Sequence, residues 1–441
     1  MTAGARTRPH YGGTLRIEVQ GDVWAADGLA RRLVLNTLTN LSDSGSAQPA
    51  LAVQWSSQNA AQRWDFQLRP QVRFQDGTPL TAEAVVVSLT TACAPSMGIG
   101  AADGETTAAC PWNAVYAVGP ADVVITTATP MPDLPELLAQ TRFEIAKKDE
   151  MGQLEGTGAF RVAGFANGAL TLAANDDCWQ GRPFLDAVEI FPHRAIRDQW
   201  LDLSVGRADI VEVPPEMQAQ AQQQHLEVLI SPPVDLLALT LEQQGSLADP
   251  AQRTAAALAV DRASLYNVIF QKQGEITASL LPESLSGYAF LFPTDRDLSR
   301  ARALRGGAPA PPMTMSAEPG GGTLQLAAER LALNLHEAGF NVQVASPGGA
   351  AVMHLRLAHL EETNPRAALD EMLAAFGQTG TVNGTDPRSL WLAESTALQN
   401  HTVVPLLWLP RAWAVGERVR DLRLSRDGEP LLASASLEGA K

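Results

Sequence analysis

The sequence lacks the long apolar runs, the cysteine density and the basic excess that mark several large classes of protein. No apolar segment of the 441 residues approaches the roughly 20 positions that a membrane-spanning helix requires, so none is predicted. Three cysteines are too few for a disulfide scaffold. The 33 basic residues face 48 acidic ones, which gives a net charge of −15. This balance argues against nucleic acids and anionic membrane surfaces as partners.

Motifs for catalysis are also missing. The chain has no G-x-S-x-G, no H-E-x-x-H and no paired cysteine-ligand motif, so we predict neither an enzyme nor a cofactor. His354 and His359, with Glu361 and Glu362 nearby, suggest a metal cluster. Their spacing of five fits neither a helical nor a strand face well, and the prediction is that the histidines are structural or solvated.

One stretch, residues 64–89, has an unambiguous local pattern. Trp64, Phe66 and Leu68 alternate with polar residues as in a half-buried strand. The alternation resumes at residues 72–74, which predicts a hairpin with the first run. The segment 76–79, Asp-Gly-Thr-Pro, then predicts a turn, and Thr81 is placed to cap a helix that follows.

This stretch resembles the signature region of the extracellular solute-binding proteins, family 5, which serve peptide and nickel ABC transporters. The pattern is matched at Trp64, Leu68, Arg69, Val72, Phe74, Asp76, Gly77, Pro79, Leu80, Thr81, Ala82, Val85 and Ser88. A second match is Gly156 to Val162, similar to the family's GTGPFRV with alanine for proline, and Asn167-Gly168 predicts a hairpin turn after it.

The resemblance implies an α/β fold of the periplasmic binding protein type, two-lobed (type II, like the dipeptide-binding proteins), with an extra domain. It assigns residues 1–40, 157–235 and 405–441 to lobe I, 41–156 to the extra domain, and 236–404 to a shortened lobe II. At this length the chain has room for two or three packed domains.

The function implied is the substrate-binding component of an ABC transporter. Such a protein captures a small solute, peptide-like or other, by hinge closure of two lobes and delivers it to membrane permease subunits. A monomer in the periplasm or outside the cell is expected. Arg6 and Arg8 are not followed by an apolar core, so no signal peptide is recognised. We expect a leader, with or without a lipid anchor, to have been removed or to lie upstream. The alternative is a degenerate homologue that acts as a sensor or interaction subunit without transport.

The resemblance offers few candidates for ligand contact. Trp24 and Asp27 lie on the loop that reaches the ligand in the family, and Trp391 and Trp408 are further candidates. For each tryptophan, packing in the core is the alternative. Asn364-Pro365 stands where the family has Asp-Pro, and the aspartate that holds a ligand amine cannot be assigned to a position in this chain.

Cys93 and Cys110 bracket a segment rich in small residues. In an exported protein a bridge between them would restrict that segment in the unfolded chain. Two unpaired buried thiols are the alternative.

Overall fold

The structure is a computed structural model, and it describes residues 10–24, 28–42, 45–93, 110–149, 152–224, 226–288, 291–319, 322–378 and 386–438. Contacts within the chain define two compact units. Unit 1 comprises Met1–Val211, Gly416–Arg423 and Pro430–Lys441, and unit 2 comprises Glu212–Val415 and Leu424–Glu429.

These boundaries differ from those expected for the lobes. The expected division between residues 235 and 236 falls inside one continuous strand, Glu227–Leu241, which lies wholly in unit 2. A strand is held by its ladder of hydrogen bonds to its neighbours, so both sides of the expected boundary belong to one sheet. The three-domain division stays a prediction.

The helices of the described residues are α1 Leu29–Val34, α2 Ala82–Ala92, α3 Leu134–Leu137, α4 Ile196–Ser204, α5 Gln218–Gln223, α6 Pro250–Ala259, α7 Arg262–Ser264, α8 Glu283–Ser286, α9 Leu298–Arg305, α10 Gly322–Glu337, α11 Pro365–Ala375 and α12 Pro387–Leu398. None of them is long and apolar enough to cross a membrane.

The strands are β1 Thr14–Glu18, β2 Thr39–Leu41, β3 Ala47–Pro49, β4 Ala52–Gln58, β5 Arg63–Leu68, β6 Ala114–Val118, β7 Asp122–Thr126, β8 Lys147–Lys148, β9 Leu154–Glu155, β10 Phe160–Ala166, β11 Ala169–Ala174, β12 Ala187–Phe191, β13 Ile210–Glu212, β14 Glu227–Leu241, β15 Glu275–Ile276, β16 Pro312–Ala317, β17 Asn341–Val344, β18 Met353–His359, β19 Val403–Val415, β20 Val419–Arg420 and β21 Ser436–Leu437.

Unit 1 contains the run β10-β11-β12-β1-β13, in which β1 pairs in parallel with β12 and β13. The hairpin predicted at Asn167-Gly168 is confirmed, since β10 and β11 pair antiparallel around it and both turn residues have positive φ. A second sheet has the order β4-β5-β7-β6 and packs one face against α2.

The signature stretch forms its elements with one change in pairing. β5 pairs with β4 and β7, so the predicted hairpin between residues 64–68 and 72–74 is wrong. Residues 72–74 instead turn back on 78–80, where the N–H of Phe74 donates to Thr78 O and the N–H of Leu80 to Val72 O. The tight turn at Gly77, with a φ of 84°, closes this loop, and glycine takes such a backbone conformation without strain. Thr81 caps α2 as predicted, accepting from the N–H of Ala84.

Unit 2 contains the run β19-β14-β18-β16-β17. Alternate residues of β14 face two cores: Leu237, Leu239 and Leu241 pack in a cluster with α6 and α10, while Leu236 and Ala238 pack in another with α11 and α12. Because successive strand residues point to opposite faces, a sheet with helices on both sides needs apolar residues at every position. This explains the uninterrupted apolar run Leu236–Leu239.

Cys93 and Cys110 are joined by a disulfide, with 5.2 Å between their Cα atoms. Of the two alternatives for this pair, a bridge or two unpaired thiols, the structure has the bridge. Cys178 is a buried free thiol in unit 1.

Candidate functional site

A cluster of charged side chains is buried in unit 2 where β14, β18 and β19 run side by side. Asp235 of β14 lies directly opposite His359, the last residue of β18. His359 Nδ1 is 2.7 Å from Asp235 Oδ1, and Arg411 of β19 places its Nε 3.0 Å from Asp235 Oδ2. Arg411 Nη1 also pairs with the buried Glu429. Two carboxylates, a guanidinium and an imidazole thus form one continuous network.

The network holds Asp235 in its charged form. Burial by itself would raise the pKa of this carboxyl, but the charge of Arg411 and the hydrogen bond from His359 outweigh burial and hold the pKa at about 2. Since an ionised carboxylate can only accept, His359 Nδ1 must donate to it. Asp235 therefore fixes both the tautomer and the orientation of the imidazole.

The environment of the second ring nitrogen of His359, Nε2, differs from that of Nδ1. His359 Nε2 is buried and has no hydrogen-bond partner among the described residues. The side chain is 11% exposed. A buried polar atom without a partner is unfavourable unless a water or a ligand satisfies it. His359 Nε2 is thus a candidate to contact a ligand at the end of β18.

The segment after β18 gathers three glutamates. Both carboxylate oxygens of Glu371 on α11 accept hydrogen bonds, one from the N–H of Glu361 and one from the N–H of Glu362, each 3.1 Å long. Burial, then the negative charges of Glu362 and Glu361, raise the pKa of Glu371 to about 8 although the two N–H donors act against this. Burial is the larger cause of this rise, and the neighbouring acidic side chains add to it.

Asn364 and Pro365 have a local structural role. The Asn364 side chain accepts from the N–H groups of Arg366 and Ala367 and so caps α11, and Pro365 occupies the first turn. Asparagine caps a helix as well as aspartate does. The replacement of Asp-Pro by Asn-Pro therefore keeps the helix start.

The four residues predicted to contact ligand fall in different surroundings. Trp24 is partly exposed in unit 1, where its backbone N–H donates to Asp22 Oδ1. Asp27 lies outside the described residues. Trp391 is 41% exposed on α12, whereas Trp408 is 1% exposed and packs in the core of unit 2 against α11 and α12. The Trp408 ring packs in this core, its buried Nε1 has no hydrogen-bond partner among the described residues, and contact of these residues with a solute stays a prediction.

His354 and His359 have separate partners. His354 Nε2 is 3.1 Å from Glu242 Oε1 and its Nδ1 is 3.1 Å from Ser316 Oγ, while His359 pairs with Asp235. Among the described residues, no group of three or more histidine, cysteine or acidic side chains is placed to hold a metal ion.

The sequence reasoning missed Asp235, Arg411 and Glu429. A signal was present for the first two, because each is a charged residue in a mostly apolar run. Asp235 lies in residues 234–241 of β14, and Arg411 lies in β19. A charge at such a position is rarely buried unless it is paired. The partners themselves could not be named from sequence.

Comparison with known proteins supplies the family. The sequence model of the bacterial extracellular solute-binding proteins, family 5, matches residues 46–397. The chain belongs to this family. The predicted fold class, an α/β fold of the periplasmic binding protein type, is confirmed by solved structures of such proteins.

Two curated relatives match parts of the chain. The uncharacterized protein YhjP of Bacillus subtilis (strain 168) is 27% identical over 224 residues, which are 50% of this chain and 35% of that protein. The probable di/tripeptide-binding protein 5 of Pseudomonas aeruginosa (strain UCBPP-PA14) is 27% identical over 198 residues, 43% of this chain and 38% of that protein. The matched region thus spans little more than a third of either relative.

Solved structures match over nearly the whole chain. The murein tripeptide binding protein MppA of Escherichia coli has a TM-score of 0.81 at 18% identity, covering 98% of this chain and 99% of that one. AgaA of Agrobacterium tumefaciens R10, in complex with agropinic acid, has a TM-score of 0.80 at 19% identity, covering 97% and 99%. AppA of B. subtilis, in complex with a nonapeptide, has a TM-score of 0.80 at 15% identity, covering 98% and 100%. At these identities the likeness establishes the fold and leaves the solute open.

Proposed function

We propose that this protein is the substrate-binding component of an ABC transporter, capturing a small solute outside the cytoplasmic membrane for delivery to permease subunits. The observation that carries the proposal is the family match over residues 46–397. The family consists of extracellular solute-binding proteins, and the relatives that share the fold are named as binding proteins. No catalytic step is part of the proposal.

The chemistry at the end of β18 supports a solute that carries a cationic group such as an ammonium. Glu361 and Glu362 place two acidic side chains beside Glu371, whose pKa is raised first by burial and then by their negative charge. Carboxylates form charge-assisted hydrogen bonds with a ligand ammonium. The unpartnered Nε2 of His359 offers a further contact in the same segment of the chain. Trp24 and Trp391 remain candidates for apolar contact with the solute.

A thermal-shift screen tests the proposal directly. The panel holds di- and tripeptides, opines, amino acids, sugars and nickel chelates, each at a concentration well above the expected dissociation constant. A ligand at a hundredfold its dissociation constant stabilises the folded state by about 2.7 kcal/mol, which is a clear shift in melting temperature. Native mass spectrometry of the freshly purified protein looks for a solute that is already bound. No shift with any compound and no bound solute would contradict the proposal and favour the sensor alternative.

One substitution tests separately whether the site prefers a solute with a cationic group. Glu361→Gln removes a charge from the cluster at nearly constant volume, so it should weaken binding of an amine-bearing ligand about tenfold or more. Glu329→Gln, on the exposed face of α10, is the matched control and should bind as the wild type does. Equal affinity of the Glu361→Gln protein and the wild type for the ligand found in the screen would place the amine elsewhere.

A further inference from the structure

A cavity of about 200 Å³ lies within unit 2, apart from the residues at the end of β18. It is lined by side chains from α6, α7, α9, the end of α12 and the start of β19, together with the segment 292–295. Most of the lining is apolar, with Leu258, Phe292 and Leu398 among the larger side chains. Arg262, Arg300 and His401 are set into this lining.

Arg262 is a buried cation that has no counter-ion among the residues that the structure describes. It is 6% exposed, and its guanidinium donates from Nε to Pro405 O at 2.9 Å and from Nη1 to Thr294 O at 3.4 Å. Both acceptors are backbone carbonyls, and within the described residues Arg262 forms no ion pair with a carboxylate and no hydrogen bond from Nη2. Burial lowers the pKa of Arg262 to about 10, so it remains charged at neutral pH. A buried charge of this kind is unfavourable until an anion joins it.

Among the other ionisable groups near the cavity, Arg253 adds positive charge. Arg253 is 2% exposed, and in the described part of the chain it donates only to backbone carbonyls, those of Leu247, Ala248 and Asn400. Burial, then the charges of Arg262 and Arg253, lower the pKa of His401, which keeps that imidazole neutral near pH 7. Two exposed groups of opposite sign, Arg300 and Asp295, complete the lining and offset one another.

We propose that this cavity binds a small apolar carboxylate, with the carboxylate on the Arg262 guanidinium and the apolar body against Phe292 and Leu398. A planar guanidinium recognises a carboxylate through parallel N–H donors. In Arg262 the N–H groups on Nη2 are still available to donate. Sites for small molecules commonly combine a mostly apolar lining with one or two polar groups that orient the ligand. The proposal does not depend on transport, since it concerns unit 2 by itself.

The test is a ¹⁹F NMR titration of the full-length protein with 4-fluorobenzoate and, separately, with its neutral analogue 4-fluorobenzamide. The benzoate should bind saturably, and the benzamide at least about tenfold more weakly, since it lacks the charge-assisted pair. Arg262→Lys keeps the charge but loses the planar fork, and it should weaken benzoate binding about tenfold. Ala257→Met extends a side chain into the cavity without changing any charge, and it should abolish binding.

Arg388→Gln removes an exposed arginine on α12 that does not line the cavity, and it is the control that should bind as the wild type does. Circular dichroism checks that each variant is folded. If Arg262→Lys does not fold, Ala257→Met alone decides the location of the site. No saturable binding of 4-fluorobenzoate to the wild type, or equal binding to the wild type and Ala257→Met, would overturn the proposal.

Discussion

Asp235 and His359 face each other across two antiparallel strands, and the 2.7 Å hydrogen bond between Asp235 Oδ1 and His359 Nδ1 joins residues 124 positions apart in the sequence. The same carboxylate also holds the guanidinium of Arg411. One buried aspartate thus orders a cation and an imidazole that come from two different strands, and it leaves the second ring nitrogen of His359 directed at no protein partner in the described part of the chain.

Replacing Asp235 by asparagine should destabilise the protein by about 1.5–3 kcal/mol, because Arg411 loses one of its two carboxylates and His359 Nδ1 loses a charged acceptor, while Glu429 still pairs with Arg411. Urea denaturation at pH 7, followed by circular dichroism, measures the change. Asp177→Asn alters an exposed aspartate in unit 1 and is the control, with an expected change within about 0.5 kcal/mol. Similar losses in the two variants would show that the buried network adds no stability.

Glu371 should make the protein less stable as the pH rises. Its pKa in the folded protein is about 8, above the ordinary value of 4.5. The stabilisation associated with the protonated form is therefore complete below about pH 4.5 and is lost as the pH rises through 8. The free energy of unfolding of the Glu371→Gln protein minus that of the wild type should therefore increase from pH 5 to pH 8, by at most about 1.4 kcal/mol per pH unit.

Urea midpoints at pH 5, 6.5 and 8 test the prediction for Glu371. The Glu329→Gln protein serves as the control and should follow the wild type at every pH. A difference between Glu371→Gln and the wild type that does not vary with pH would contradict the raised pKa.

Reduction of the Cys93–Cys110 bridge should lower the melting temperature. The two residues are 17 positions apart in sequence, and a bridge that closes a loop of this size stabilises by about 3 kcal/mol through restriction of the unfolded chain. Thermal denaturation with and without reductant measures the loss. Cys178→Ser should show the same effect of reductant, since Cys178 is outside the bridge. Alkylation of three thiols in the unreduced, denatured protein would rule the bridge out.

The second glycine of the Gly-Thr-Gly motif at residues 156–158 should not tolerate a side chain. A Cβ on Gly158 would lie 2.4 Å from Leu33 O and 2.7 Å from the carbonyl carbon of Val34, and backbone atoms cannot move aside as a side chain can. Gly158→Ala should therefore destabilise unit 1 by about 1–3 kcal/mol. Gly21→Ala is the matched control, because a Cβ there would meet nothing within 4 Å. Equal melting temperatures for the two variants would be evidence against this close approach.

The sequence by itself determined the local elements and the family. The cap at Thr81 and the turn at Asn167-Gly168 each depend on residues within a few positions of one another. Helical and strand periodicity, capping and turn chemistry act over the same short distances, so they can be recognised from the order of residues. The signature string from Trp64 to Leu89 identified the family by its residue-by-residue resemblance to the family pattern.

Only the tertiary structure decided which distant residues meet. It paired β5 with β4 and β7 in place of the nearer segment 72–74, and it placed the Trp408 ring in the core of unit 2, where contact with a ligand stays a prediction. It also assembled Asp235, His359 and Arg411 from three strands, and left Arg262 without a carboxylate among the described residues. Strand pairing and burial are set by the packing of the whole unit, because the free energy of a charge depends on its neighbours in space.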